Sequence, residues 1–189
     1  MGIEAKDIHV RGTPVIGLMK FLSKELSPEQ KVSVIRGLPA PYNEKLLAHV
    51  MPSDTLPLSI VNELTERAAR ERGEDVEAFA FRAGTFGARI GIATAFKPFF
   101  MVVSTERALK IAPLMWTRVY DAGRMSIEIL PNGARIHISD FSANIAGCGR
   151  ISGWFTYIGE LTGAKDLRVL HEPCMARGGD ECVWKFLWR

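Results

Sequence analysis

The chain has 189 residues, 47% of them apolar and 24% charged, with 24 Lys and Arg against 21 Asp and Glu. That length suffices for one domain with a core of its own, and the composition excludes disordered and fibrous classes. The net charge of +3 is scattered without runs, so nucleic acid is not an expected partner, and three cysteines exclude a disulfide framework.

Ile8 to Val10 reads as a short strand. Gly12-Thr13-Pro14 opens a helix with Val15, Leu18, Met19 and Leu22 at helical spacing. Ser27-Pro28-Glu29-Gln30 predicts a helix start with Ser27 as cap, Pro28 in the first turn and Gln30 closing a capping box; Gly37 and Pro39 end it. Tyr42 to Val50 is a short helix stopped by Pro52. Leu58, Val61, Leu64 and Ala68 mark the next, which closes at Gly73. Asp75 caps a long segment carrying Phe79, Ala83, Phe86 and Ile90, broken at Pro98. Ser104 opens a further helix that runs through Leu109 and Trp116 to Tyr120.

The periodicity then changes. Met125, Ile127 and Ile129 alternate with polar residues, Pro131-Asn132-Gly133 signals a hairpin, and Ile136 and Ile138 alternate in the return strand. A helix follows with Ile145, Cys148, Ile151, Phe155 and Ile158 on one stripe. Leu167, Val169 and His171 share one face of a third strand; Cys182, Trp184, Phe186 and Trp188 share one face of a fourth, across a turn at Gly178-Gly179-Asp180. The expected fold class is α+β: one domain over 1–189, with a helical N-terminal part (1–120) followed by a β-β-α-β-β antiparallel sheet (121–189). No segment is apolar for long enough to span a bilayer, and the first residues carry no apolar stretch of a secretion signal, so a cytoplasmic location is expected.

The chemistry-bearing pattern is Cys148-x22-His171-x2-Cys174-x7-Cys182. Helix, strand and turn neighbour one another in the β-α-β-β unit, so these four side chains can converge as a tetrahedral Cys3His zinc site. A place near a helix N-terminus favours the thiolate of Cys148. Glu172 is the alternative ligand to His171; strand alternation puts the two on opposite faces, so one of them points at the metal. The plain alternative is that the three cysteines fill core space, as buried thiols often do.

The stretch from Cys148 to Trp188 resembles the four-vinyl-reductase domain, including the sensory domains of phenol-responsive bacterial activators. There a structural zinc is held by an early Cys, a Glu and C-x7-C, with Glu where this chain has His171. The whole chain also resembles a myxobacterial paralogous family of unknown role, and both groups are similar to the heme nitric-oxide-binding domains and to TRAPP subunits, which implies a ligand-binding fold of helices over an antiparallel sheet. Tyr120-Asp121-Ala122-Gly123-Arg124 is similar to a Tyr-x-Ser-x-Arg heme clamp, but no histidine lies between His49 and Tyr120 to be an axial ligand, so heme is not expected.

Aromatic residues and glycines crowd the middle of the chain. Seven glycines (84, 87, 91, 147, 149, 153 and 159) interrupt helices, for which close packing or space for a ligand are the two reasons. Phe99, Trp116 and Tyr120 are the candidate pocket residues. The expected function is a non-enzymatic sensor or ligand-binding module for an apolar or aromatic small molecule or lipid, with a structural zinc and a homodimeric partner. A ligand-free interaction or scaffold module is the second reading and a reductase-like enzyme the third. Neither a nicotinamide fingerprint nor an activated nucleophile pair is present.

Overall fold

A computed structural model of the chain describes residues 7–95, 103–142 and 144–189, the side chains of 92–95 excepted. The N-terminal half is helical. Strand β1 (His9–Arg11) leads into α1 (Gly12–Glu25), followed by α2 (Pro28–Arg36), α3 (Tyr42–Ala48), β2 (Thr55–Pro57), α4 (Leu58–Arg72), α5 (Val76–Ala95) and α6 (Thr105–Val119). The second half adds β3 (Arg124–Leu130), β4 (Gly133–Ser139), α7 (Ile145–Leu161), β5 (Arg168–His171) and β6 (Cys182–Leu187). This is the α+β class and the β-β-α-β-β order read from the sequence.

Local chemistry sets the boundaries. Ser27 Oγ accepts from Gln30 N–H at 3.2 Å while Gln30 Oε1 accepts from Ser27 N–H at 3.0 Å, the reciprocal capping box. Gly73 ends α4 at φ +64°, a conformation that favours glycine. Ala78 N–H donates to Asp75 Oδ1 at 2.9 Å, and Arg107 N–H to Ser104 Oγ at 3.4 Å, as the starts of α5 and α6 predict. Pro98, expected to break α5, lies outside the described residues.

The large sheet has the order β3-β4-β6-β5, all antiparallel. Strand β6 therefore inserts beside β4, and the chain arrives there by way of α7 and β5. Ile136, Ile138, Trp184 and Phe186 point to the core and are at most 1% exposed. Helix α7 lies between this sheet and α5. Strand β2 was not foreseen: it is three residues long and pairs with β1, too short for alternation to show.

Helices α5 and α7 meet backbone to backbone. A Cβ placed on Gly84 would lie 2.0 Å from the Arg150 carbonyl oxygen, and one on Gly153 would lie 2.0 Å from that of Phe81. These glycines serve close packing. Gly87, by contrast, has nothing within 4 Å of a built Cβ, and both Gly84 and Gly87 line the cavity described below.

Candidate metal centre and apolar cavity

Cys148 is the fourth residue of α7. Asn144 fixes the start of that helix, its Oδ1 accepting from Gly147 N–H at 2.8 Å. His171 closes β5 and sits opposite Trp184 of β6 in the ladder, and their rings stack at 4.1 Å and 3°. Trp184 is itself anchored, its Nε1–H donating to Ser152 Oγ at 2.7 Å. Cys174 precedes a single 3-10 turn (Met175–Arg177), and Gly178 at φ +92° turns the chain back, with Gly179 N–H bonded to Cys174 O at 3.0 Å. Cys182 opens β6.

These elements bring one ligand atom from each of Cys148, His171, Cys174 and Cys182 within 4.8 Å of one another. The Cys148 sulfur is 3.8 Å from that of Cys174 and 3.8 Å from that of Cys182. Three thiolates on a tetrahedral zinc at Zn–S of about 2.3 Å would be separated by about 3.8 Å, so the spacing suits that geometry. It is far from the roughly 2.05 Å of a disulfide, and the three thiols are free. The cysteines are at most 4% exposed. Both ring nitrogens of His171 are buried with no hydrogen-bond partner, a cost that coordination would remove. Glu172, the alternative ligand, is exposed and outside the cluster.

Contact with the neighbouring sulfurs opposes the helix dipole at Cys148. The hydrogen bond with Cys182, burial and the nearby Cys174 push the Cys148 thiol up. The Cys182 thiol is pulled down to about 4, first by the Cys148 S–H, then, against the cost of burial, by His171 and by Met175 N–H at 3.3 Å.

A second feature lies between α1, α5, α6, α7 and the sheet: a cavity of about 140 Å³, walled largely by apolar side chains. Trp116 and Tyr120 line it; Phe99 lies outside the described residues. Trp116 packs on Tyr120 (centroids 4.4 Å) and Phe141 (4.9 Å), and its Nε1–H donates to Ala122 O at 3.1 Å. Burial raises the Tyr120 phenol against the opposing pull of Arg150. Arg150 is the one charged residue among the described lining residues, and sequence reading missed it. The available signal was a lone cation in the first turns of an apolar helix, Ile145-Ala146-Gly147-Cys148-Gly149-Arg150.

Neither protein-family profiles nor curated protein sequences match the chain. Solved structures do. A point mutant of an H-NOX protein from K. algicida, Fe(II) unliganded, superposes with a TM-score of 0.75 at 10% identity, covering 95% of this chain and 96% of that one. An H-NOX protein from S. oneidensis in the Fe(II)NO ligation state gives 0.73 at 12% identity, covering 95% and 99%. A structure from a study of heme distortion in the H-NOX family gives 0.72 at 10%, covering 95% of each. The chain has the H-NOX fold.

Two expectations are corrected by these matches. The solved structures are H-NOX domains, so the resemblance to the four-vinyl-reductase domain and its zinc-containing sensors does not stand. It rested on ligand spacing over the last fifth of the chain, and such a cluster can sit on more than one fold. The dismissal of heme also does not stand, because those structures are described by Fe(II) states and heme distortion. Its premise, a missing histidine, was too narrow: phenolate and thioether groups also ligate heme iron. Among the described residues, the cavity offers the Tyr120 phenol, the Met115 and Met125 sulfurs, and Arg150 for a carboxylate. These suit an iron and one propionate. Arg124, the far end of the clamp-like motif, takes no part: its side chain is 80% exposed and paired with Asp140 at 2.7 Å.

Proposed function

We propose that the chain is a non-enzymatic module that binds an apolar small molecule in the cavity, with a zinc ion on Cys148, His171, Cys174 and Cys182 holding one cavity wall in place. The observation that carries this reading is the shared scaffold. Helix α7 supplies Cys148 together with the cavity residues Ile151, Trp154, Phe155 and Ile158, and β6 supplies Cys182 together with Phe186. A metal that ties α7 to the β5–β6 unit therefore fixes the wall against which a ligand packs. Four protein ligands close the coordination of zinc and leave no position for an activated water. A mainly apolar cavity with few polar groups is the form of a small-molecule site. Its volume of about 140 Å³ is close to that of an engineered cavity of about 150 Å³ that takes benzene, which points to a one-ring ligand.

The test has two arms on the purified protein: metal analysis by plasma mass spectrometry, and ligand-observed NMR with toluene and phenol. One zinc per chain and saturation transfer to either aromatic support the reading. No zinc after reconstitution, with no transfer, refutes it.

The H-NOX fold and the Tyr120 phenol favour a second reading, heme between the same helices and sheet, which requires the walls to part because a porphyrin is several times larger than a cavity of about 140 Å³. Heme would supply an iron centre for a gas ligand, with Tyr120 and Arg150 holding it. A Soret band on hemin titration, lost in Tyr120→Phe, supports this reading; its absence rejects it. Self-association is the partner interaction expected. Leu114 on α6, 58% exposed, is an apolar position that such contact would cover, and sedimentation velocity reads the outcome. Among the described residues no helix is long and apolar enough to cross a membrane.

A further inference from the structure

Arg150 is placed unlike any other cation among the described residues. Its neighbours on α7 are Gly149 and Ile151, and its side chain runs inward to α4 rather than out to solvent. Nη1 donates to Thr65 Oγ1 at 2.7 Å and to the Val61 carbonyl at 3.4 Å; Nη2 donates to Asn62 Oδ1 at 2.5 Å. Thr65 is 0% and Asn62 5% exposed, so this is an interior site. All three acceptors are neutral. The acidic groups whose field reaches Arg150 are Tyr120, Cys148 and Glu66; none makes an ion pair with it, and Glu66 is engaged elsewhere, its Oε1 accepting from Asn144 Nδ2 at 2.7 Å.

A guanidinium stays charged in proteins and has five donors in a planar fork. Interior charges are normally paired, because an unpaired one costs several kcal/mol. Here the neutral acceptors fix the side chain without neutralising it, and the guanidinium-bearing residue lines the cavity. Tyr120, the other titratable residue among the described lining residues, is near enough for the two to act on each other electrostatically, and its hydroxyl makes no hydrogen bond among the described residues. A cation and a phenol on an otherwise mainly apolar wall form a cradle for one anionic group attached to an apolar body.

We propose that the cavity selects an apolar monocarboxylate, with the carboxylate on Arg150 and Tyr120 and the ring among Leu109, Trp116 and Phe155. This rests on the reading of the cavity as a small-molecule site and names its ligand class. Charge-assisted bonds to a guanidinium are roughly twice as strong as neutral ones, so acid and neutral isostere are separated by charge and not by shape.

The experiment titrates the full chain with benzoate and with benzamide, read by tryptophan fluorescence, two of the four tryptophans, Trp116 and Trp154, lying in the cavity wall. The expected result is benzoate bound about tenfold or more tighter than benzamide. In Arg150→Met that preference disappears while benzamide affinity is kept, and in Arg150→Lys part of it returns. Equal binding of the two probes to the wild type overturns the proposal and leaves the cavity reading intact; binding of neither overturns both. The wild-type comparison decides even if Arg150→Met fails to fold. A heme propionate presents the same carboxylate chemistry. A Soret band whose affinity falls in Arg150→Met, together with equal binding of benzoate and benzamide, would assign Arg150 to heme and reject the free acid.

Discussion

Replacing Gly153 by Ala tests how the metal-bearing helix is seated. The added Cβ would lie 2.0 Å from Phe81 O, 2.8 Å from Thr85 N and 2.9 Å from Phe81 C. All three are backbone atoms of α5, so no side chain can turn aside, and the helices must separate by about 1 Å to restore ordinary contact. Overpacking of this kind costs about 1–3 kcal/mol, with rigid backbone neighbours at the upper end. Ala in place of a helical Gly returns up to about 1 kcal/mol. The net loss is about 2 kcal/mol, a fall in Tm of about 4–8 °C for a chain of this size. Gly87→Ala is the matched control. It lies on α5, its Cβ meets nothing within 4 Å, and Ala there should raise Tm by about 1–4 °C from propensity alone. Thermal unfolding by circular dichroism reads both. An unchanged or raised Tm in Gly153→Ala would refute the close-packing account of α5 and α7 and return that glycine to the role of ligand space.

The remaining predictions address the metal centre and the surface. Cys182→Ser should take zinc content from one per chain to none, whereas Glu172→Gln should leave it unchanged, both read by plasma mass spectrometry; retained zinc in the first would contradict the ligand set. Ser27→Ala removes the acceptor of the capping box and should cost about 1 kcal/mol in urea unfolding. Burial alone would raise the Glu74 carboxyl, but bonds from Arg82 and Arg72 hold it below the usual carboxylate range. A carboxylate lowered in the folded state adds stability that is complete above its unfolded value and is lost as pH falls through the folded one. Glu74→Gln should therefore flatten the loss of stability below about pH 4.5, by less than about 1 kcal/mol because the pair is partly exposed.

The legible parts of the sequence were those in which a local rule acts alone. Ser27 and Gln30 announce α2 because capping is a contact between residues three apart, and the alternation from Met125 to Ile138 announces the hairpin for a similar reason. Strand alternation separates His171 from Glu172, and the structure brings His171 to the thiols. What stayed illegible depends on distant partners. Nothing local distinguishes Arg150 from a solvent-facing arginine, because its acceptors Asn62 and Thr65 come from α4, more than 80 positions away. The helix dipole at Cys148 is a local effect, whereas the sulfur of Cys182 that lies 3.8 Å from it is brought in by β6. The glycines looked alike in sequence and divide only when α5 meets α7: Gly84 and Gly153 touch backbone, Gly87 faces space.

Anomalous diffraction at the zinc edge, on crystals of the zinc-reconstituted chain, tests the central claim most directly. The account predicts one peak, about 2.3 Å from the sulfurs of Cys148, Cys174 and Cys182 and about 2.0 Å from a ring nitrogen of His171. A map without that peak, with the His171 nitrogens bonded elsewhere or two of the thiols joined as a disulfide, would contradict it.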